Sequence, residues 1–224
     1  MKAIITGTTG MVGKGVLLEC LDDPRVTSVL VVNRQSINQK HPKLKELLVT
    51  NFMKLDSITD QLKGYDTCFF CAGTSSIGKS EEVFSKITYD ITVNFASTFI
   101  NQNPDSSFCY VTGTGTDSTE KGSVMWARIK GKTENAIINM GFKSTYMFRP
   151  GYIQPLRGIH SKTDWYDYLY MIFKPIYYIL KHFPSTATST TNVGKAMINL
   201  TLNNAPSQIL HSKEINMEAN NTVK

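Results

Sequence analysis

Directly after a short apolar run at residues 2–5 the chain reads Gly7-Thr8-Thr9-Gly10-Met11-Val12-Gly13 and then becomes helix-compatible. Glycines at that spacing, between a strand and a helix, point to one chemistry. One permits a tight turn, one lets bare backbone approach a pyrophosphate, and one lets the helix pack close to the strand. The amides at the helix start, reinforced by the positive end of its dipole, then attract phosphate oxygens. Thr9 joins Gly7, Gly10 and Gly13 as a predicted contact of this turn.

About twenty residues further on comes Val32-Asn33-Arg34-Gln35-Ser36. A site for NAD usually carries an acid there for the ribose hydroxyls. None is present. Arg34 can pair bidentately with a 2′-phosphate and Ser36 can add a hydrogen bond. The expected cofactor is therefore NADP, with NAD as the second choice, and Asn33 and Arg34 are its expected contacts on the adenosine side.

Other chemistries are weaker. Cys68-Phe69-Phe70-Cys71 is a C-x-x-C, but within a buried strand the period of two sends the thiols to opposite faces, so neither a redox nor a metal role is expected. Histidines at 41, 160, 182 and 211 have no ligand spacing, and no metal site is predicted. Four cysteines in a chain of this length suit a reducing compartment, and the opening residues hold too short an apolar region for a secretory signal. The expected location is cytoplasmic.

These residues must be positioned by elements, and their rhythm is regular. Strands are predicted at residues 2–5, 28–32, 48–52, 67–71, 107–111 and 145–148, with helical segments between most pairs, among them 12–21 and 123–140. Such alternation implies α/β architecture: a Rossmann-like, doubly wound parallel sheet covered on both faces. With 224 residues, 41% apolar and 19% charged, the chain fits one domain over 1–224 and excludes disorder and collagen. The charge of +6 and pI of about 9.0 favour anionic partners. No arginine-rich run, zinc-finger spacing or aromatic RNA-binding signature appears, so nucleic acid is not expected.

Beyond Arg149-Pro150-Gly151 the composition shifts. Residues 165–183 are crowded with aromatic and aliphatic side chains but carry Asp167, Lys174, Lys181 and Pro175. Those charges and the proline argue against a membrane span and for two helices or a kinked one. The segment 152–190 is read as a small, mainly helical cap over a substrate pocket or as a dimer surface, ahead of a membrane-surface contact. A homodimer is therefore a possible assembly, and an amphipathic helix follows at 191–202.

The turn at Gly7, Arg34, Cys71-Ala72-Gly73-Thr74, Val111-Thr112-Gly113-Thr114 and Arg149-Pro150-Gly151, in that order, resemble the short-chain dehydrogenase/reductase superfamily. More narrowly, the chain is similar to its atypical branch, with Tat-interacting-protein-like and sugar-nucleotide-epimerase-like members. The likeness covers about residues 1–152. It implies that Met11 and Val12 supply backbone near the pyrophosphate and that Asn51 and Phe52, ending the third strand, lie beside the adenine. It further implies that Ala72, Gly73 and Thr74 line the ribose side, and that Pro150, Gly151 and Tyr152 lie near the nicotinamide.

The family's reaction centre pairs a tyrosine with a lysine four residues later on the fifth helix, plus a hydroxyl residue after the fifth strand. Residues four apart share a helix face, so the ammonium lowers the phenol's pKa while gripping the nicotinamide ribose. Here Lys130 takes the lysine position and Trp126 the tyrosine position. An indole donates one N–H but cannot shuttle a proton. At helical spacing with Ile129, Thr133, Ile137 and Met140, Trp126 is expected either as a core anchor or as a pocket wall. Two further Y-x-x-x-K matches, Tyr170 with Lys174 and Tyr177 with Lys181, lie past the sixth strand and are treated as coincidences. Thr112 is the expected hydroxyl residue, with Thr114 as alternative, and Tyr152, then Tyr89, is the substitute proton donor.

Two functions follow as expectations. One is an NADP-dependent oxidoreductase or epimerase-like enzyme acting on a small carbonyl or alcohol. The other is a non-catalytic, NADP-responsive regulatory or protein-binding module, motivated by Trp126.

Overall fold

A computed structural model describes residues 1–159 and 185–221. Its strands are β1 (Lys2–Thr6), β2 (Ser28–Asn33), β3 (Leu44–Leu48), β4 (Thr67–Phe70), β5 (Ser107–Val111), β6 (Ser144–Arg149), β7 (Tyr152–Gln154), β8 (Ala187–Ser189) and β9 (Gln208–His211). The described helices are α1 (Met11–Asp22), α2 (Glu81–Ser85), α3 (Ile91–Gln102), α4 (Met125–Ile138), α5 (Thr190–Leu202) and α6 (Ser212–Asn220), with a π turn at Lys86–Asp90 joining α2 to α3. The predicted helix pair at 165–183, both extra Y-x-x-x-K matches and most of the 152–190 cap lie outside the described residues.

Seven strands form one all-parallel sheet in the order β3-β2-β1-β4-β5-β6-β9. The expected Rossmann-like fold is therefore present. Burial on both faces explains the near-continuous apolar strands, because alternate residues serve opposite layers. Ile5, Phe69, Cys109 and Phe148 pack with α1, α5 and α6, whereas Ile4, Phe70, Phe108 and Met147 pack with α3 and α4. Cys68 and Cys71 do face opposite layers. On the first layer α1 and α5 approach closely: a Cβ on Gly15 would lie 2.5 Å from that of Thr190, and one on Gly194 would meet Glu19 at 2.8 Å. On the second, the rings of Phe70, Phe95, Phe99, Phe108 and Phe142 form a continuous aromatic seam.

Two expectations need correction. The third strand is Leu44–Leu48, not 48–52, so Asn51 and Phe52 belong to the loop beyond it. At a sheet edge, paired only to β2, a strand tolerates the exposed Lys45 and Glu46. The apolar run that looked like the strand instead turns into the core, burying Val49 and Phe52. The second correction adds β9, which pairs with β6 as the seventh strand, and α6 behind it. Its short edge buries only Leu210, too weak a pattern for periodicity to find. A separate parallel pair, β7 with β8, was also not anticipated.

Candidate functional site

Between β1 and β4 the strand order reverses, and the carboxyl ends of neighbouring strands diverge into a crevice. A cleft of about 820 Å³ occupies it, lined by Gly7, Thr9, Gly10, Met11, Asn33, Arg34, Gln35, Thr50, Asn51, Phe52, Cys71, Ala72, Gly73, Thr74, Ile87 and Ile91. Most of the predicted cofactor contacts thus meet in one place. Gln35, Thr50, Ile87 and Ile91 were not expected as contacts, since side chains of ordinary type on loops, on the π turn and at the start of α3 give no sequence signal.

The turn is shaped by contact. Gly7 has φ +71°, and a Cβ there would lie 2.6 Å from the Ala72 nitrogen. A Cβ on Gly13 would lie 2.4 Å from the Gly7 carbonyl oxygen, so the helix start must be bare where it crosses the turn. Gly10 is the N-cap of α1 and offers no side-chain cap, and the first turn holds no acidic residue. The amides of Met11, Val12 and Gly13 precede the first intrahelical bond, which Lys14 makes to Gly10. Asn33 holds this loop: its amide donates to Thr8 Oγ1 at 2.6 Å, and its carbonyl accepts from Thr8 N at 3.2 Å.

Just beyond the end of β2, Arg34 lies exposed in the cleft and its side chain makes no hydrogen bond or ion pair among the described residues. Ser36 is differently placed from the expectation: its hydroxyl donates to Glu46 at 2.5 Å. Asn51 caps its own loop by accepting from Met53 N, and Phe52 sits against Phe95 with ring centroids 5.8 Å apart. Asn94 secures this loop by donating to the Phe52 carbonyl at 2.8 Å, a contact that sequence alone did not reveal. Cys71 lines the cleft, but burial pushes its thiol up to about 12, which leaves it a poor nucleophile near neutral pH.

A second group gathers at the ends of β5 and β6, outside that lining. Lys130 Nζ donates to the Thr112 carbonyl at 2.7 Å, Thr114 N to the Pro150 carbonyl at 2.9 Å, and Thr114 Oγ1 to the Arg149 carbonyl at 3.2 Å. Burial lowers the Lys130 pKa from 10.5 to about 8, against the opposing pull of the Glu134 carboxylate. The Thr112 hydroxyl is buried and donates to Glu134 at 2.6 Å. Thr112 therefore presents its carbonyl, not its hydroxyl, to Lys130. Glu134 also pairs with Arg149, an arrangement the sequence reading passed over although Glu134 stands four residues after Lys130 on the same helix face.

Trp126 reaches under the loop after β5, where a Cβ on Gly115 would lie 3.3 Å from its ring, and Lys130 Nζ is 5.8 Å from the ring centroid. Trp126 is half-buried and stands outside both core clusters and the cleft lining, its ring packed on the Gly115 loop beside the lysine. Gly151 donates to Ser212 Oγ at 3.0 Å, and a Cβ on it would lie 2.4 Å from the Thr186 carbonyl oxygen. The Tyr152 hydroxyl donates to Gln154 at 2.8 Å along the β7 pair. Tyr89, on the π turn, has the Lys132 ammonium 4.5 Å from its ring centroid.

Comparison with known proteins matches residues 3–116 to the model of the NAD dependent epimerase/dehydratase family. A relative from Debaryomyces hansenii, "Protein FMP52, mitochondrial", is 29% identical over 153 residues, 67% of this chain and 66% of that one. "Protein HTATIP2" from Rattus norvegicus is 24% identical over 166 residues, 73% of this chain and 67% of that one. The aligned parts thus span about two thirds of those relatives. Among solved structures, UDP-N-acetylglucosamine 4-epimerase from Bacillus cereus superposes with TM-score 0.68, 14% identity, 94% of this chain and 78% of that one. MoeE5 in complex with UDP-glucose and NAD gives 0.67 at 13% identity, over 94% and 75%. At those identities the likeness is one of fold.

Proposed function

The chain belongs to the NAD dependent epimerase/dehydratase family, and on that premise we propose that it is an NADP-preferring oxidoreductase or epimerase-like enzyme acting on a small carbonyl or alcohol. The observation that carries this reading is the single cleft in which the glycine turn, Arg34 and the Ala72-Gly73-Thr74 loop converge.

The residues fit a dinucleotide. A pyrophosphate suits the bare amides of Met11, Val12 and Gly13, where the close contacts at Gly7 and Gly13 leave no room for a Cβ. Arg34 supplies two parallel donors for a 2′-phosphate, which supports NADP over NAD. Asn51 and Phe52 border the adenine side. Lys130, whose ammonium reaches from α4 to the end of β5, holds the nicotinamide-ribose hydroxyls, with Pro150, Gly151 and Tyr152 beyond it. When bound, the nicotinamide supplies or accepts a hydride. The protein must then move a proton at the substrate oxygen. Trp126 can orient that oxygen through its N–H but cannot exchange a proton, so Tyr152 is the proposed donor and Tyr89 the second choice. The four free cysteines accord with a reducing compartment, here proposed as the cytoplasm. Among the described residues no helix is long and apolar enough to cross a membrane.

Calorimetric titration with NADPH and NADH tests the first step, with NADPH expected to bind more tightly. Oxidation of NADPH in the presence of aldehydes, ketones and quinones tests the second. Failure to bind either dinucleotide overturns the whole reading, whereas tight binding without turnover of any carbonyl favours the regulatory module, which the replacement at Trp126 motivates.

A further inference from the structure

We infer that Glu46 is the positioning residue that sets the cofactor preference of the cleft: it clamps the loop after β2 so that Arg34 is held toward the 2′-substituent of the adenosine ribose. The inference deepens the dinucleotide reading and rests on it.

The geometry is a closed polar clamp. Glu46 lies on the edge strand β3, opposite Val31 of β2 in register. One carboxylate oxygen accepts from Ser36 Oγ at 2.5 Å and the other from the Ile37 amide at 2.8 Å. Ser36 Oγ in turn accepts from the Asn38 amide at 3.1 Å, and Asn38 has φ +51°. A turn with a left-handed asparagine is thereby tied to the neighbouring strand through two hydrogen bonds and closed on itself by a third. Arg34 and Gln35, immediately before it, line the cleft.

The clamp has two chemical consequences. Both carboxylate oxygens already accept hydrogen bonds from the turn, and Arg34 makes no ion pair among the described residues, so its guanidinium keeps its donors for a ligand. The Ser36 hydroxyl proton likewise goes to Glu46 and not to a phosphate. Selection for a 2′-phosphate thus depends on one arginine in a loop of fixed shape. Arginine side chains are flexible, and binding a phosphate with two parallel donors costs less when the backbone beneath is already ordered.

The test compares dissociation constants for NADPH and NADH in the wild-type protein, Glu46→Ala, Glu46→Gln and Ser36→Ala, alongside thermal midpoints. Glu46→Ala is expected to weaken NADPH binding about tenfold while changing NADH less than about threefold, the scale of losing charge-assisted hydrogen bonds that order a loop. Glu46→Gln keeps an acceptor and restores most of the preference, and Ser36→Ala produces a smaller loss in the same direction. A preference unchanged in Glu46→Ala, or a gain in NADPH affinity as expected if the carboxylate merely repelled the phosphate, overturns the inference. If Glu46→Ala lowers binding of both dinucleotides equally, the residue serves the fold alone and the inference fails. A wild-type protein that binds neither dinucleotide fails at the earlier reading, a result distinct from these.

Discussion

The Arg149 guanidinium lies along the Glu134 carboxylate, with Nε 3.1 and 3.0 Å from its two oxygens and Nη2 bonded to one of them. The Glu134 side chain is fully buried and that of Arg149 nearly so. Through them the end of β6 is tied to the middle of α4, and Thr112 at the end of β5 joins by donating to Glu134. The backbone carbonyl that receives Lys130 belongs to the same threonine. A buried ion pair thus fixes the frame on which the lysine rests.

Breaking that pair from one side strands the other charge. Glu134→Gln and Arg149→Met should each destabilise the protein by about 3–5 kcal/mol, and the double variant by less than their sum. Denaturant unfolding of the four proteins in a double-mutant cycle checks this. Additive losses would mean that the two side chains do not interact.

The glycine turn separates packing from binding. A Cβ on Gly13 would lie 2.4 Å from the Gly7 carbonyl oxygen, so Gly13→Ala should cost about 1–3 kcal/mol of stability together with dinucleotide binding. On Gly10 the nearest such contact is 3.3 Å. Gly10→Ala should keep stability within about 1 kcal/mol, yet lose binding about tenfold or more by obstructing a pyrophosphate. Thermal midpoints and calorimetry on both variants decide it.

Such local features were legible because the chemistry and the backbone impose the same residues. Gly7, Gly10 and Gly13 announce the turn, and Arg34, just past the end of β2, lines the same cleft as expected. Among the central strands β5 was found at its observed limits and β1, β2, β4 and β6 to within one residue at either end, since continuous apolar runs need no partner to be recognised. The edge strands were not. Leu44–Leu48 and Gln208–His211 answer to only one neighbour, so their sequences carry Lys45, Glu46 and exposed Ile209. Hydroxyl direction was equally hidden. Thr112 and Ser36 were placed at the right loops, but each points to a carboxylate, Glu134 or Glu46, supplied by a distant segment.

Arg34→Ala should weaken NADPH binding about tenfold to a hundredfold and leave NADH within about twofold, as expected from losing one charge-assisted, bidentate pair. Paired titrations at equal ionic strength measure it. An unchanged ratio refutes the assignment of NADP.

Lys130 predicts a pH signature. Burial lowers its pKa from 10.5 to about 8 in the folded state. The unfolded chain therefore binds the proton more tightly between those values, and this group's contribution to stability rises with pH across that window. Below about pH 8 the penalty is complete, at most about 3 kcal/mol. Lys130→Met removes it, so the stability of the variant relative to wild type should be most favourable near pH 7 and decline toward pH 10. A pH-independent difference would place the lysine in water.

Trp126→Tyr introduces a titratable group in the helix position four residues before Lys130. The indole now packs against Gly115, and the Lys130 ammonium lies 5.8 Å from its ring. A phenol there would have a cation close by to stabilise its ionised form, which is the condition for exchanging a proton near neutral pH. Positioned acids and bases contribute about 10²–10⁴-fold. The variant should therefore raise kcat for NADPH-dependent carbonyl reduction by about 10²-fold while leaving the dissociation constant for NADPH within about twofold, because the cleft residues are untouched. Stopped-flow turnover against the same aldehydes and ketones, with binding measured separately, gives both numbers. If wild type is already fast and the variant no faster, a proton donor other than residue 126 is fully effective, and the Tyr152→Phe variant should then lose that activity. If the variant binds cofactor but gains nothing and wild type is silent, the substrate does not reach this end of the sheet, and the enzymatic reading gives way to the regulatory one.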